Sequence, residues 1–208
     1  MGLPVLILGE SGSGKSTSLR NFNKDELVIY NVAGKPLPFR GGTQLLRADN
    51  VSYNTIMQNM SKKKFRCYVI DDSQYLLAFE LFGRVAEKTY DKFTEMAVHF
   101  YDLIQFVIRQ MPPDCIVYFL HHTDDIDGKV KAKTVGKMLN EKLTVEGLFS
   151  IVLMAKNLDG RYIFRTHSDG RDTVKTPMGM FEQDEIDNDL KAVDAAIREY
   201  YSMKGLKE

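Results

Sequence analysis

The stretch Gly9-Glu10-Ser11-Gly12-Ser13-Gly14-Lys15-Ser16 fits the pattern G-x-x-x-x-G-K-[ST] of a phosphate-binding loop. It follows the apolar run Val5-Leu6-Ile7-Leu8, typical of a buried parallel strand, and precedes Thr17-Ser18-Leu19-Arg20, which suits a first helical turn. Glycines are needed in such a loop because backbone N–H groups curl around phosphate oxygens, where a Cβ would block the approach. The alternative, a Gly-Ser turn with an unrelated lysine, is disfavoured by this flanking strand and helix.

The chemistry of this loop predicts a nucleotide site with Mg²⁺. Lys15 is expected to reach the β- and γ-phosphates, and the Ser16 hydroxyl to ligate Mg²⁺, while the N-terminus of the following helix faces the anion. The residues predicted to bind the nucleotide are Gly9, Glu10, Ser11, Gly12, Ser13, Gly14, Lys15, Ser16 and Thr17.

A second metal ligand is expected at the end of another strand. The apolar run Cys67-Tyr68-Val69-Ile70 ends in two carboxylates, Asp71 and Asp72. We predict that Asp71 holds the Mg²⁺, directly or through water, and that Asp72 polarises the attacking water. A helix N-cap is the alternative interpretation of this pair, and capping is compatible with metal binding.

A polar cluster, His121-His122-Thr123-Asp124-Asp125, follows a third apolar run, Cys115 to Leu120. Open parallel sheets bind ligands at this end of their strands, so one of these residues is predicted to sense the γ-phosphate. The sequence leaves His121 and His122 open, with His122 and Thr123 slightly favoured. A zinc site is the rival, but neighbouring strand residues point to opposite faces and no third ligand has a usual spacing.

The remaining patterns predict a mostly parallel central sheet with helices on both faces. Apolar runs of strand length recur at 27–30 and 149–154, and the clearest helical pattern spans roughly 79 to 111. Residues 154–167 indicate a C-terminal antiparallel hairpin centred on Asp159-Gly160, and a last helix is expected over about 186–203. We expect one domain over residues 1–208.

Composition excludes several classes of protein. The chain has 208 residues, a formal charge of +0 and 44% hydrophobic residues, so it is neither disordered nor globally basic. Its two cysteines, Cys67 and Cys115, lie in apolar runs, which favours buried thiols in a reducing cytosol over a disulfide framework. We expect a cytoplasmic protein without a signal peptide or membrane span.

The order of these elements resembles that of RecA-like and AAA-type ATPases. In that division the strand with the polar sensor lies between the phosphate-loop strand and the Asp strand. No Asn-Lys-x-Asp motif follows the later strands, which disfavours a GTPase. The resemblance implies an α/β RecA-like P-loop NTPase that binds ATP and Mg²⁺.

Nearly the whole chain is similar to the short phage-encoded, RecA-like ATP-binding proteins of the Sak group, which are implicated in single-strand annealing. The segments on which this similarity rests are 9–16, 35–39, 69–76, 133–137 and 174–181. The resemblance implies action on single-stranded DNA in the host cytoplasm and assembly as a ring or filament. A basic residue of one subunit then completes its neighbour's site, and Lys175 occupies the matching region. A solvated surface lysine is an equal alternative.

Two positions depart from the pattern of those ATPases. The residue after Asp71 is Asp72 instead of the longer Glu common in AAA enzymes, and the second strand ends at Asn31-Val32 without the carboxylate of RecA proteins. We therefore expect slow hydrolysis and leave the general base open.

A polar segment between Thr123 and Lys142 is the candidate DNA contact. It contains Lys129, Lys131, Lys133, Lys137 and Lys142, which suit phosphate contacts without base preference. Three aspartates dilute its charge, so a solvated loop is an equal alternative. Ser61-Lys62-Lys63-Lys64 is a second candidate, although an exposed helix end is favoured there.

Two rival functions share the phosphate loop. One is a kinase that transfers the γ-phosphoryl group to a nucleotide or metabolite, but the segment 123–142 lacks the arginines of a kinase lid. The other is a nucleotide-gated module that docks a replication protein through the last helix. A single-strand-binding protein is a further candidate partner.

Overall fold

The computed structural model describes residues 1–136, 139 and 143–206. These residues form strands and helices in alternation along most of the chain. The strands are β1 (Leu3–Gly9), β2 (Val28–Asn31), β3 (Leu46–Asp49), β4 (Cys67–Asp71), β5 (Ile116–Ile126), β6 (Lys129–Ala132), β7 (Ile151–Leu158), β8 (Arg161–Arg165) and β9 (Glu185–Asp187). The helices are α1 (Tyr53–Met60), α2 (Gln74–Gly83), α3 (Asp91–Gln110) and α4 (Leu190–Tyr200).

The strands form one mixed sheet in the order β3-β2-β4-β5-β1-β7-β8-β9. Neighbours from β3 to β7 pair in parallel, β8 and β9 are antiparallel, and β6 pairs with the end of β5. The strand β5 lies between β1 and β4, which confirms the order expected from the resemblance to RecA-like ATPases. The predicted hairpin on Asp159-Gly160 is also confirmed, as the turn between β7 and β8.

Both faces of the central strands are buried, which explains why these strands are continuous apolar runs. In β1, Leu6 and Leu8 pack in the apolar layer that includes residues of α1 to α3, whereas Val5 and Ile7 pack in the layer that includes residues of α4. This alternation follows from the period of two along a strand. The sheet therefore has helices on both faces. The carboxyl ends of its parallel strands are not covered by these helices and stay available to a ligand.

The pattern predicted as one helix over 79–111 is two helices, α2 and α3. The chain turns between them because charged side chains satisfy the backbone there: Lys92 Nζ donates to the carbonyl oxygens of Arg84 and Glu87 at 3.2 and 2.7 Å. Arg84 itself donates to Glu80 at the end of α2 and to Glu95 in α3. Apolar spacing alone missed these polar contacts.

Three further expectations need correction. The segment after the phosphate loop is a short 3-10 helix (Ser16–Asn21) in which Ser18 Oγ donates to the carbonyl oxygen of Lys15 at 2.6 Å. The polar segment that starts at Thr123 begins as a β-hairpin, β5–β6, with its turn at Asp127-Gly128. The last helix covers Leu190–Tyr200, because residues 185–187 pair with β8 as β9.

Candidate nucleotide-binding site

The phosphate loop leaves the carboxyl end of β1 and packs tightly against the sheet. A Cβ on Gly9 would lie 2.8 Å from the carbonyl oxygen of Ala155, and one on Gly14 would lie 2.6 Å from the ring of Tyr162. Gly14 also has φ +94, a conformation that glycine adopts without strain. The glycines of the motif are therefore required by both close approach and backbone shape, as the sequence indicated.

A cleft of about 350 Å³ opens over this loop. Its walls come from the loop, from the segment after β2, from the ends of β4 and β5, and from β8. The lining residues are Ser11, Gly12, Ser13, Gly14, Lys15, Ser16, Thr17, Lys35, Pro36, Pro38, Asp71, Asp72, His122 and Tyr162. Most residues predicted to bind nucleotide lie here; Gly9 and Glu10 contribute the carbonyl groups that hold Lys15.

Lys15 lies inside the loop and is 6% exposed. Its Nζ donates to the carbonyl oxygens of Gly9 and Glu10 at 2.7 and 2.8 Å. Burial lowers the pKa of Lys15 to about 8, against the attraction of Asp72 and Asp71. A desolvated ammonium held only by neutral carbonyl groups is poised to gain a phosphate partner.

Asp71 and Ser16 meet across the cleft. Ser16 Oγ donates to Asp71 Oδ1 at 2.8 Å, joining the phosphate loop to the end of β4. Burial, and next to it the charge of Asp72, raise the pKa of Asp71 to about 6. A hydroxyl and a carboxylate oxygen this close are the hard donors that Mg²⁺ prefers.

The donor set fits Mg²⁺ in other respects. Among the described residues no group of three or more His, Cys, Asp or Glu side chains is placed to hold a metal ion. Mg²⁺ usually takes only one or two protein ligands and completes its shell with water and phosphate oxygens. Ser13 Oγ, in the loop beside Lys15, is buried and has no hydrogen-bond partner. These groups fit a Mg²⁺–phosphate ligand.

Asp72 has both carboxylate oxygens engaged. Oδ1 lies 3.1 Å from His122 Nε2, and Oδ2 accepts from Lys35 Nζ at 2.7 Å. Burial acts to raise the pKa of Asp72, but the hydrogen bonds to His122 and Lys35 outweigh it, so the pKa lies below its ordinary value. Asp72 has φ 58, in the left-handed region, so the chain leaves the extended conformation of β4 at this residue. Both partners stabilise the ionised carboxylate and so reduce the basicity on which its predicted action on water depends.

The structure separates the two histidines that the sequence left open. His122 lines the cleft and contacts Asp72, whereas His121 is fully buried on the other face of β5. His121 Nε2 lies 2.7 Å from the carbonyl oxygen of Lys133, and Nδ1 lies 2.8 Å from Ser73 Oγ. The geometry therefore places His122 in the cleft, while its role as a sensor stays a prediction. Thr123 lines a neighbouring hollow beside the loop.

Lys175 is exposed and lies outside the lining of this cleft. Its backbone pairs with Val152 of β7 in an isolated antiparallel bridge. The predicted action of Lys175 in a neighbouring subunit's site stays a prediction.

The candidate DNA lysines fall into two groups. Lys129 and Lys131 lie on β6, where Lys131 is directly opposite Asp124, and Lys133 follows exposed. Lys137 and Lys142 lie outside the described residues. The exposed run 61–64 follows α1 and precedes β4. It therefore lies at the amino ends of the strands, whereas the cleft lies at their carboxyl ends. No helix in the described part of the chain has the length and apolar character to span a bilayer.

Sequence reasoning missed Lys35 and Tyr162 as lining residues. Lys35 follows β2 by four residues, and a charged residue just beyond the carboxyl end of a parallel strand is a usable signal. Tyr162 left no such signal, because the antiparallel pairing of β8 with β7 is what brings its ring against Gly14.

Comparison with known proteins adds little to this geometry. No protein-family model matches the chain, and no curated protein matches it significantly. Ninety chains of solved structures match its fold. One of them, a prototypical ATPase from the type III secretion system of pathogenic bacteria, is 11% identical with a TM-score of 0.45. The match covers 74% of this chain and 51% of that chain, so the chain spans about half the length of that ATPase.

Proposed function

We propose that the protein binds ATP with Mg²⁺ and hydrolyses it, and that it acts on single-stranded DNA in phage recombination, by annealing or strand exchange. The nucleotide part rests on one observation: the hydrogen bond of 2.8 Å between Ser16 Oγ and Asp71 Oδ1. This contact joins a loop with the sequence of a phosphate binder to a carboxylate from a separate strand, which is the donor pair that a Mg²⁺–triphosphate requires.

The phosphate loop, Asp71, Asp72 and His122 each have a role in this proposal. The loop amides and Lys15 would bind the phosphates, and Ser16 and Asp71 would hold a Mg²⁺ that supplies neutralisation of phosphate charge. His122 orients Asp72 through the contact of 3.1 Å. Asp72 accepts a proton from the attacking water, and its hydrogen bonds to His122 and Lys35 make it a weak base, so hydrolysis is slow in the isolated protein.

The test is phosphate release by Lys15→Ala in Mg²⁺ and ATP. We expect a loss of at least about a hundredfold, because the variant lacks the charge that stabilises the transferring phosphoryl group. Lys62→Ala is the matched control, since Lys62 is an exposed lysine at the end of α1 whose Nζ donates to Asn59. Full activity in purified Lys15→Ala would overturn the assignment. Transfer of the phosphoryl group to a nucleotide or metabolite would instead favour a kinase.

The DNA part is supported by the path of β5. This strand continues from His122 in the cleft into the hairpin that displays Lys129 and Lys131, so a change at the phosphate end has a short, rigid route to those lysines. Lysines spaced along an exposed ribbon suit backbone contacts without sequence preference. Oligomeric assembly, with Lys175 reaching a neighbour's site, belongs to the same proposal.

Fluorescence anisotropy of labelled single strands, with and without ATP at two salt concentrations, tests this part. We expect ATP-dependent binding that weakens with salt and is reduced in a Lys129→Glu, Lys131→Glu double variant. Absence of binding at low salt in every nucleotide state would remove DNA from the proposal. Capture of a replication protein by the ATP state would then favour an interaction module.

A further inference from the structure

Lys35 is the second lysine of the cleft, and nothing described above gives it a function. Its Nζ donates to Asp72 Oδ2 at 2.7 Å and lies 4.9 Å from the centre of the Tyr75 ring. Both partners come from the segment that follows β4. The ammonium is thus held at the rim of the cleft by residues that closely follow Asp71 in the chain.

The backbone of Lys35 is held by a buried side chain, whereas its own side chain is half-exposed. Asn31, 1% exposed at the end of β2, donates from Nδ2 to the carbonyl oxygen of Lys35 at 2.7 Å. Asn31 Nδ2 also donates to Asp49 of β3, which holds the amide in place. The Lys35 side chain is 56% exposed, so its four-carbon stem has room to redirect the ammonium.

Exchange of Asp72 for a phosphate oxygen is favourable for Lys35, because its ion pair with Asp72 is exposed to water. An ion pair with a half-exposed lysine contributes little in water, whereas a phosphate oxygen is a stronger, multiply charged acceptor. His122 keeps contact with the other oxygen of Asp72, so that carboxylate stays paired after the lysine leaves.

The position of Lys35 selects one phosphate of the chain. Ser16 and Asp71 would hold the Mg²⁺, and Lys35 bonds to Asp72, the residue that follows Asp71. In hydrolysis the water that Asp72 would polarise attacks the γ-phosphate, so a cation bonded to Asp72 is closest to that phosphate.

We propose that Lys35 binds the γ-phosphate of the nucleotide by moving its ammonium from Asp72 to that group. The inference rests on the proposed nucleotide site and adds a residue that distinguishes the triphosphate from the diphosphate. Departure of Lys35 also frees one oxygen of Asp72 for water, which couples recognition of the γ-phosphate to hydrolysis.

The experiment compares the affinities of Lys35→Ala for ADP and for the β,γ-imido analogue of ATP, both with Mg²⁺, by isothermal titration calorimetry. Loss of one charge-assisted hydrogen bond predicts a roughly ten- to hundredfold weaker affinity for the analogue. The affinity for ADP should change less than about threefold, since ADP lacks the group that Lys35 contacts. Lys35→Arg should recover part of the loss, and Lys62→Ala should behave as wild type.

The outcomes separate this inference from the proposed function. Equal affinities of Lys35→Ala and wild type for the analogue, or equal losses for both nucleotides, would overturn the role of Lys35 and leave the nucleotide site standing. Retained binding of ADP shows in the same experiment that the variant is folded. A wild-type protein that binds neither nucleotide would overturn the proposed function, and this inference with it.

Discussion

Two buried polar networks lie at opposite ends of the strands of the same sheet, and they differ in how fully their hydrogen bonds are satisfied. At the amino ends of the strands, Arg198 of α4 donates to Asp194 and to the carbonyl oxygens of Asp114, Lys204 and Arg66. Tyr118 of β5 donates to the same carboxylate at 2.9 Å. At the carboxyl ends of the strands, Lys15 donates to two carbonyl oxygens, and Asp71 accepts from the Ser16 hydroxyl and from the backbone N–H of Asp72.

Burial does not distinguish the two networks. Arg198 and Asp194 are 5% and 0% exposed, and Lys15 and Asp71 are 6% and 5% exposed. What distinguishes them is the partner that opposes burial. Arg198 and Asp194 neutralise each other at 2.6 Å, although burial still raises the pKa of Asp194. Burial lowers the pKa of Lys15 to about 8 and raises that of Asp71 to about 6. We expect the first network to stabilise the fold and the second to bind a ligand.

The largest expected effect is at the satisfied network. Arg198→Met leaves the buried Asp194 carboxylate without its cation and removes hydrogen bonds to three carbonyl groups, which should lower the free energy of unfolding by about 3 to 5 kcal/mol. Urea denaturation measures it. Arg161→Met is the matched control, because the Arg161–Glu185 pair is 64% and 40% exposed and should cost less than about 1 kcal/mol. Similar losses in both variants would contradict the comparison.

Asp71→Asn should change the free energy of unfolding in the opposite direction. The pKa of Asp71 is raised from 3.8 to about 6 in the folded protein, so stability present at low pH is lost as pH rises from about 4 to about 6. At pH 7.5 without Mg²⁺, the neutral amide should therefore raise the free energy of unfolding, by up to about 3 kcal/mol. Mg²⁺-dependent nucleotide binding should be lost in the same variant.

Urea denaturation in EDTA at pH 7.5 and pH 4.5 measures this gain. The difference between Asp71→Asn and wild type should shrink at the lower pH, because the folded wild-type protein then holds Asp71 in its protonated, neutral form. A variant that is less stable than wild type at pH 7.5 would mean that Asp71 belongs to the stabilising kind of network.

The sequence predicted the network at the phosphate loop better than the network of Arg198 at the other end of the strands. Gly9 to Ser16 are local in the chain and each position has one chemical purpose, so spacing alone identifies the loop. Asp71 was found because an apolar strand ends there. The network of Arg198 joins residues that are 132 and 84 positions apart, and no local pattern indicates such pairs.

The same limit explains the missed strands and the missed lysine. The strands β3, β6 and β9 have three or four residues each and acquire their conformation from pairing with a neighbour. Lys35 enters the cleft only because Asn31 holds its backbone and Asp72, 37 residues further along, holds its ammonium. Long-range contacts of this kind require the fold.

His121 gives the smallest expected effect on stability. It is a buried polar residue that belongs to neither of the two networks. It borders the cleft in sequence, yet burial lowers the pKa of His121 to about 4, so the ring stays neutral. Below pH 6.5 the unfolded chain binds a proton there that the folded one does not, and stability is lost as pH falls. Between pH 7 and pH 5 this predicts roughly 2 kcal/mol of loss that His121→Gln should not show. An NMR titration in which the His121 ring becomes protonated above pH 6 while the protein stays folded would instead group it with the ligand-ready residues.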